Sequence, residues 1–174
     1  MGNSCVCKQK KLETVTIKYT TSSQLAIRPK RATTTSVGLD LFSPLTTMIL
    51  PQRQHLINTE LKFQIPPTHY GQLETKSGMA YNCGVFVMGG VIDSDYRGDV
   101  GVILSNASEY PYTIQQGEGI AQMVLHKAII PELKEVEMLD PTIRGSRGFG
   151  EMDTLLYQRG PRMATWYNSS SWQD

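Results

Sequence analysis

In the stretch INTELKFQI, five apolar or β-branched side chains, Ile57, Thr59, Leu61, Phe63 and Ile65, alternate strictly with the polar Asn58, Glu60, Lys62 and Gln64. Successive side chains of an extended chain point to opposite faces, so this period of two suits a strand with one face in a core and the other in water. It cannot lay an apolar stripe along a helix. The period returns in VGLDLFS through Val37, Leu39 and Leu41. Further β-rich runs stand at TVTIKYT, TMIL, GVFVM, VGVILS and IAQMVLHKAII, separated by Pro, Gly, Asn and Ser at the short intervals of a sandwich or barrel. Only SGMAYN reads as a turn of helix. From about Asp140 the pattern fails, because DPTIRGSRGFGEMD is rich in glycine and WYNSSSWQD is polar with interspersed aromatics. We therefore expect one all-β domain over residues 14–140, a disordered tail at 1–13, and a mobile arm and tail at 141–174.

Charge and cysteine usage exclude several classes of function. A formal net charge of +1 lacks the basic excess that nucleic acid or an anionic membrane requires, so neither is an expected partner. The three cysteines, Cys5, Cys7 and Cys83, have no zinc-type spacing, and His55, His69 and His126 lie too far apart for a local metal motif. No stretch approaches the roughly 18 consecutive apolar residues of a membrane span, and the N-terminus lacks the apolar core of a signal peptide. The expected location is intracellular, in cytoplasm or nucleus. The opening MGNSCVCKQKK offers Gly2 for a lipid chain, with Cys5, Cys7 and three lysines in support, but the acylation pattern wants Ser or Thr where Val6 stands. Membrane attachment is accordingly not expected.

Chemistry concentrates in three short stretches. VIDSDYRGD places Asp93, Asp95 and Asp99 around Tyr96 and Arg97 between two apolar runs. As a calcium loop it fails: Arg97 occupies a ligand position, Leu104 stands where a bidentate Glu belongs, and the flanks read as strands. Taken by itself it suits a solvated hairpin. ETKSGMA offers Lys76 and Ser77 before Gly78, where ammonium, hydroxyl and backbone N–H can converge on phosphate oxygens. TIRGSRGFG sets Arg144 and Arg147 among glycines with Phe149, a composition suited to pairing with phosphates and stacking on a base. Neither stretch is a Walker loop or a dinucleotide fingerprint.

Taken in order, SVGLDLFS, ETKSGMA, GGVIDSDYRGDVGVIL, GEGIAQMV and RGSRGFG resemble the five motifs of the homotrimeric dUTPases (deoxyuridine 5′-triphosphate nucleotidohydrolases), from Val37 to Gly150, about two thirds of the chain. The short length, long polar ends and altered motifs resemble a viral member of that family, of adenoviral type. The resemblance implies a jelly-roll-like β-barrel of the β-clip kind, a homotrimer with shared active sites, and hydrolysis of dUTP to dUMP and pyrophosphate with Mg2+. It implies Asp93 as the carboxylate that activates the attacking water, and Tyr96 as the ring against the deoxyribose that refuses a 2′-hydroxyl. Met88, Gly89, Gly90 and Gly101 match positions that read uracil through main-chain groups. Lys76, Ser77, Gly78 and Gln122 match the phosphate contacts, and Arg144, Phe149 and Gly150 match the arm. Asp40 matches the carboxylate that holds Mg2+ through water, an ion that prefers triphosphate oxygens to a protein cage.

Four departures stand against that pattern. Lys76 and Gly119 occupy places where the family usually has arginine. Arg147 sits where a small residue is common, and Glu151-Met152-Asp153 replaces Ser-Thr-Gly. Two other functions keep the same fold: a dUTPase-like binding or signalling protein without turnover, and a dCTP deaminase. The aspartate in VIDSDY opposes the deaminase, whose chemistry uses a glutamate near the base.

Overall fold

The computed structural model describes residues 14–148. Eleven strands follow one another: β1 (Lys18–Thr21), β2 (Leu39–Phe42), β3 (Thr47–Ile49), β4 (Gln54–Asn58), β5 (Leu61–Gln64), β6 (His69–Glu74), β7 (Val85–Met88), β8 (Val91–Ile92), β9 (Gly101–Asn106), β10 (Tyr112–Ile114) and β11 (Gly119–Lys127). A single helical turn, Met79–Cys83, falls where SGMAYN indicates one. All strand pairs are antiparallel. They build a four-stranded sheet in the order β2-β11-β6-β8, a three-stranded sheet β4-β9-β7, and the pairs β1-β5 and β10-β3. The result is the jelly-roll-like all-β fold expected from the sequence.

The alternating residues of the strands meet in one core. Leu61, Phe63 and Ile65 are buried with Ile57, and Val102 and Leu104 of β9 join Ile120 and Met123 of β11. The nine-residue alternation in INTELKFQI keeps its inward and outward sides throughout, yet it is not one strand. At Glu60 the backbone enters the left-handed region, φ 58°, and the chain passes from β4, paired with β9, to β5, paired with β1. The corner is held by the Glu60 N–H, which donates to Asn58 Oδ1 at 2.9 Å, and by Thr59 Oγ1, which donates to the Val100 carbonyl at 2.7 Å. Periodicity reports which side faces inward, and is silent on which neighbour a strand pairs with.

Other differences have equally local causes. Val37 is 74% exposed and precedes β2, so of the three alternating apolar residues of VGLDLFS only Leu39 and Leu41 belong to a strand. TVTIKYT yields only Lys18–Thr21, exposed at all four positions, and IAQMVLHKAII stops at Lys127. Strands β6 and β10 carry no clear signal in the sequence. The inward positions of β6 are His69, Gly71 and Leu73, and Gly71 lies so close under Met123 that a Cβ there would stand 3.0 Å from its sulfur. β10 has three residues behind Pro111. Its Tyr112 hydroxyl donates to Glu118; burial first, and that carboxylate second, push the phenol well above its ordinary pKa.

The chain divides into two compact units after Ile130, earlier than the boundary at Asp140 read from the sequence. The first contains every strand. Among the described residues of the second, from Pro131, there is none. No helix among the described residues is long and apolar enough to cross a membrane.

Candidate active site

Register places one group of motif residues at one level of the four-stranded sheet. Gln122 of β11 pairs with Asp40 of β2 on one side and with Glu74 of β6 on the other. Two residues beyond Glu74, Lys76 Nζ reaches back to Asp40 Oδ1 at 2.6 Å, with side-chain exposures of 33% and 21%. The pair is only partly shielded from water, so its own contribution to stability is small; its value is to point an ammonium and a carboxylate at the same place. The Gln122 amide lies over Gly38, where a Cβ would stand 2.6 Å from Oε1, and its Nε2 makes a long 3.5 Å contact to the Thr75 carbonyl. Ser77 and Gly78 follow at the start of the helical turn, whose first N–H groups have no acceptor within the turn itself. Two strands and a turn thereby bring Asp40, Lys76, Ser77, Gly78 and Gln122 together.

The second group surrounds the β7–β8 hairpin. Met88 ends β7, and Gly89 and Gly90 carry the chain through left-handed φ values of 66° and 102°. The Gly90 carbonyl accepts the Leu73 N–H at 2.8 Å, and a Cβ on Gly90 would stand 2.9 Å from Leu73 Cβ. Asp93 follows β8 and opens a turn closed by the Tyr96 N–H donating to its carbonyl at 3.2 Å. Arg97 turns its guanidinium onto the Ser94 and Tyr96 carbonyls at 2.7 and 2.8 Å, which makes it a brace for the turn. The Tyr96 ring is 45% exposed, and its hydroxyl donates to the Asp99 carbonyl at 3.0 Å. Gly101 begins β9, opposite Asn58, beneath the Leu56 side chain.

The hairpin lies beside Leu73 and Thr75, but the Asp93 turn that follows it and the Lys76 turn stand at opposite ends of β6. Ile92 pairs with Gly71, so Asp93 continues alongside Tyr70, whereas Lys76 lies beyond Glu74 at the other end. From Tyr70 to Lys76 an extended chain covers about 20 Å at roughly 3.3 Å per residue. One copy of the chain does not bring Asp93 to Lys76, Ser77 and Gln122. Arg144 belongs to the second unit, in a turn where the Gly145 N–H donates to the Thr142 carbonyl at 3.1 Å, and its Nε donates to the Arg147 carbonyl at 2.9 Å. Phe149, Gly150 and Glu151-Met152-Asp153 lie outside the described residues, as do Gly2, Cys5 and Cys7.

Two supports of the site carry no local signature in the sequence. Thr75 Oγ1 accepts the Val87 N–H at 2.8 Å, tying the strand before Lys76 to the hairpin strand. Asp99 accepts a hydrogen bond from Ser22 Oγ, 77 residues away. No spacing rule reaches across such a distance.

The dUTPase family model matches residues 24–152. The chain belongs to the dUTPase family. The deoxyuridine 5′-triphosphate nucleotidohydrolase of avian adenovirus 8 is 40% identical over 136 residues, spanning 78% of this chain and 83% of its own. That of fowl adenovirus A serotype 1 is 39% identical over 163 residues, 92% of each chain. The dUTPase of Staphylococcus bacteriophage 80alpha, solved with dUpNHpp, has a TM-score of 0.73 at 30% identity and covers 79% of this chain and 98% of its own. Adenoviral proteins among the relatives agree with the viral resemblance in the sequence, and the phage dUTPase shares the β fold described above.

Proposed function

We propose that this dUTPase family member hydrolyses dUTP to dUMP and pyrophosphate at sites shared between the subunits of a homotrimer. The observation that carries the reading is the separation along β6: the phosphate-type group, Lys76, Ser77, Gly78 and Gln122, and the water-activating Asp93 cannot serve one substrate from one chain. A second copy that presents its Asp93 hairpin to the first copy's Lys76 turn completes the set. An apolar row across the three-stranded sheet supports association, since Leu56, Ile103 and Met88 face one another in register and are 63%, 39% and 44% exposed in a single chain.

The residues divide the work. Main-chain groups of Met88, Gly89, Gly90 and Gly101 read uracil; the Gly90 carbonyl keeps one lone pair after accepting Leu73. Cytosine presents a donor where uracil has an acceptor and leaves groups unpaired, at about 1–3 kcal/mol each. Tyr96 lays its ring against the deoxyribose. Asp93 takes a proton from the water that attacks the α-phosphorus, the bond to the bridging oxygen breaks, and pyrophosphate leaves. Asp40 would hold magnesium through its waters: one of its oxygens is engaged by Lys76, and among the described residues no cluster of three metal-ligating side chains exists, which fits an ion that takes its other ligands from triphosphate and solvent. Magnesium on the triphosphate supplies charge neutralisation for the leaving group. By resemblance to the family, Arg144 pairs with phosphates and Phe149 stacks on the base; Phe149 and Gly150 lie outside the described residues.

Pyrophosphate release from dUTP tests the activity, with ammonia release from dCTP as the control for the deaminase. Subunit mixing tests the sharing. Asp93→Asn and Lys76→Glu chains are each expected to be nearly inactive, and mixed trimers to regain part of the turnover, because a site takes Asp93 and Lys76 from different subunits. Verified mixed trimers without activity would refute shared sites.

A further inference from the structure

The loop between β8 and β9 is anchored outside its own motif. The Tyr96 ring lies over Gly98, where a Cβ would stand 2.4 Å from the Tyr96 hydroxyl oxygen and 2.6 Å from Cζ. With its hydroxyl on the Asp99 carbonyl at 3.0 Å, the ring takes its position from the peptide joining Asp99 to Val100. That peptide is held by its own N–H, donated from Val100 to the Leu61 carbonyl at 2.8 Å. On the far side, the Val100 carbonyl is held by the Thr59 N–H at 3.0 Å and by Thr59 Oγ1 at 2.7 Å, which leaves the Asp99 side as the end to be fixed. A second fixed point is present: Ser22 Oγ donates to Asp99 Oδ1. Ser22 is itself immobilised, since its N–H donates to the Glu60 carbonyl at 2.9 Å and the neighbouring Ser23 hydroxyl donates to the Glu60 carboxylate.

We propose that Ser22 and Asp99 are a positioning pair that sets the Tyr96 ring for discrimination against the 2′-hydroxyl. The pair rests on the reading that Tyr96 faces the sugar, and it adds two specificity-determining residues to that site. Neither touches the substrate. Asp99 acts through the carbonyl on which the Tyr96 hydroxyl rests, and Ser22 acts through Asp99. Releasing the pair frees the ring to yield to a ribose, while Asp93, which makes no hydrogen bond to Ser22 or Asp99 and whose carbonyl still accepts the Tyr96 N–H, is held by β8, so sugar choice falls more than dUTP turnover.

The experiment compares kcat/KM for dUTP and for UTP in the full chain and in Ser22→Ala, Asp99→Ala, Asp99→Asn and the Ser22→Ala/Asp99→Ala double variant, with amide hydrogen exchange of residues 94–100 alongside. Ser22→Ala and Asp99→Ala are each expected to lower the dUTP-to-UTP ratio by about two- to tenfold, the range of one lost net hydrogen bond. The double variant should fall no further than either single one. Asp99→Asn keeps an acceptor for Ser22 and should retain the wild-type ratio. If Asp99→Ala does not fold, Ser22→Ala and Asp99→Asn carry the test. An unchanged ratio in Ser22→Ala, with wild-type dUTP turnover intact, overturns the pair. If the wild-type chain does not hydrolyse dUTP, the proposed activity fails on its own account, and exchange decides the pair: faster exchange in Ser22→Ala but not in Asp99→Asn supports it, and equal exchange in all chains refutes it.

Discussion

Alanine at Gly90 and alanine at Gly89 are adjacent substitutions with different physical costs. Gly89, at φ 66°, has no atom within 4 Å of where a Cβ would stand, so Gly89→Ala meets only the strain of the left-handed conformation, about 1–2 kcal/mol. Gly90, at φ 102°, lies beyond the left-handed well, and its Cβ would stand 2.9 Å from Leu73 Cβ and 3.0 Å from the Leu73 carbonyl oxygen. No rotamer relieves a contact with backbone. Relief requires the hairpin to move off β6, at an overpacking cost of about 1–3 kcal/mol, and weakens the bond between the Leu73 N–H and the Gly90 carbonyl, worth about 0.5–1.5 kcal/mol. Gly90→Ala should therefore destabilise the chain by about 1.5–4.5 kcal/mol beyond the strain of about 1–2 kcal/mol that is all Gly89→Ala meets. Urea denaturation of both variants at matched protein concentration measures the difference. Equal destabilisation would show that the Leu73 contact does not hold the hairpin, and would remove the structural support for the base-reading role proposed for it.

Asp93→Asn should keep the fold and nucleotide binding while turnover drops at least about a hundredfold, the low end for loss of a general base; single-turnover measurement with bound dUTP separates the two. Tyr112 should contribute to the loss of stability at alkaline pH. Its phenol is raised by burial and by Glu118, so above about pH 10 the unfolded chain loses a proton that the folded chain keeps. Its contribution is fully present below about pH 10 and is lost as pH rises through the higher folded value. Tyr112→Phe should flatten that decline in a denaturation series, and an unchanged slope would mean that Tyr112 does not carry it.

Much of the fold could be read from the sequence because burial on one face imposes a period of two, and INTELKFQI and VGVILS obey it. The sequence fails to signal β6 because two of its inward positions are His69 and Gly71, neither of them hydrophobic, and Gly71 is required by the tight fit under Met123 and Ile65. It misplaces the β4–β5 division because Glu60 reverses the backbone without breaking the alternation. The site divides in the same way. The motif residues are legible as short runs of family-like sequence, whereas the separation of Asp93 from Lys76 along β6 is a property of strand register, which only paired neighbours determine. Ser22 is further removed still, a serine on an exposed corner whose meaning comes entirely from the Asp99 carboxylate opposite it.

Register and packing also join two departures that look independent in the sequence. Lys76 and Gly119 each replace a usual arginine, and a Cβ at Gly119 would lie 3.4 Å from both Cε and Nζ of Lys76. That is ordinary van der Waals contact, so the lysine packs directly against the face of Gly119 from which a side chain would start. Two cations at about 4 Å repel by roughly 1–4 kcal/mol between the limits of bulk water and a protein surface, a cost that glycine removes. With only one cation there, Lys76 runs past Gly119 and closes on Asp40 Oδ1 at 2.6 Å. An ammonium is a point charge, which a single carboxylate oxygen satisfies, whereas a guanidinium fork would engage both oxygens. The lysine at 76 and the glycine at 119 thus form one arrangement, in which Lys76 closes on Oδ1 of Asp40 and the positive charge beside Gly119 is concentrated on that one ammonium.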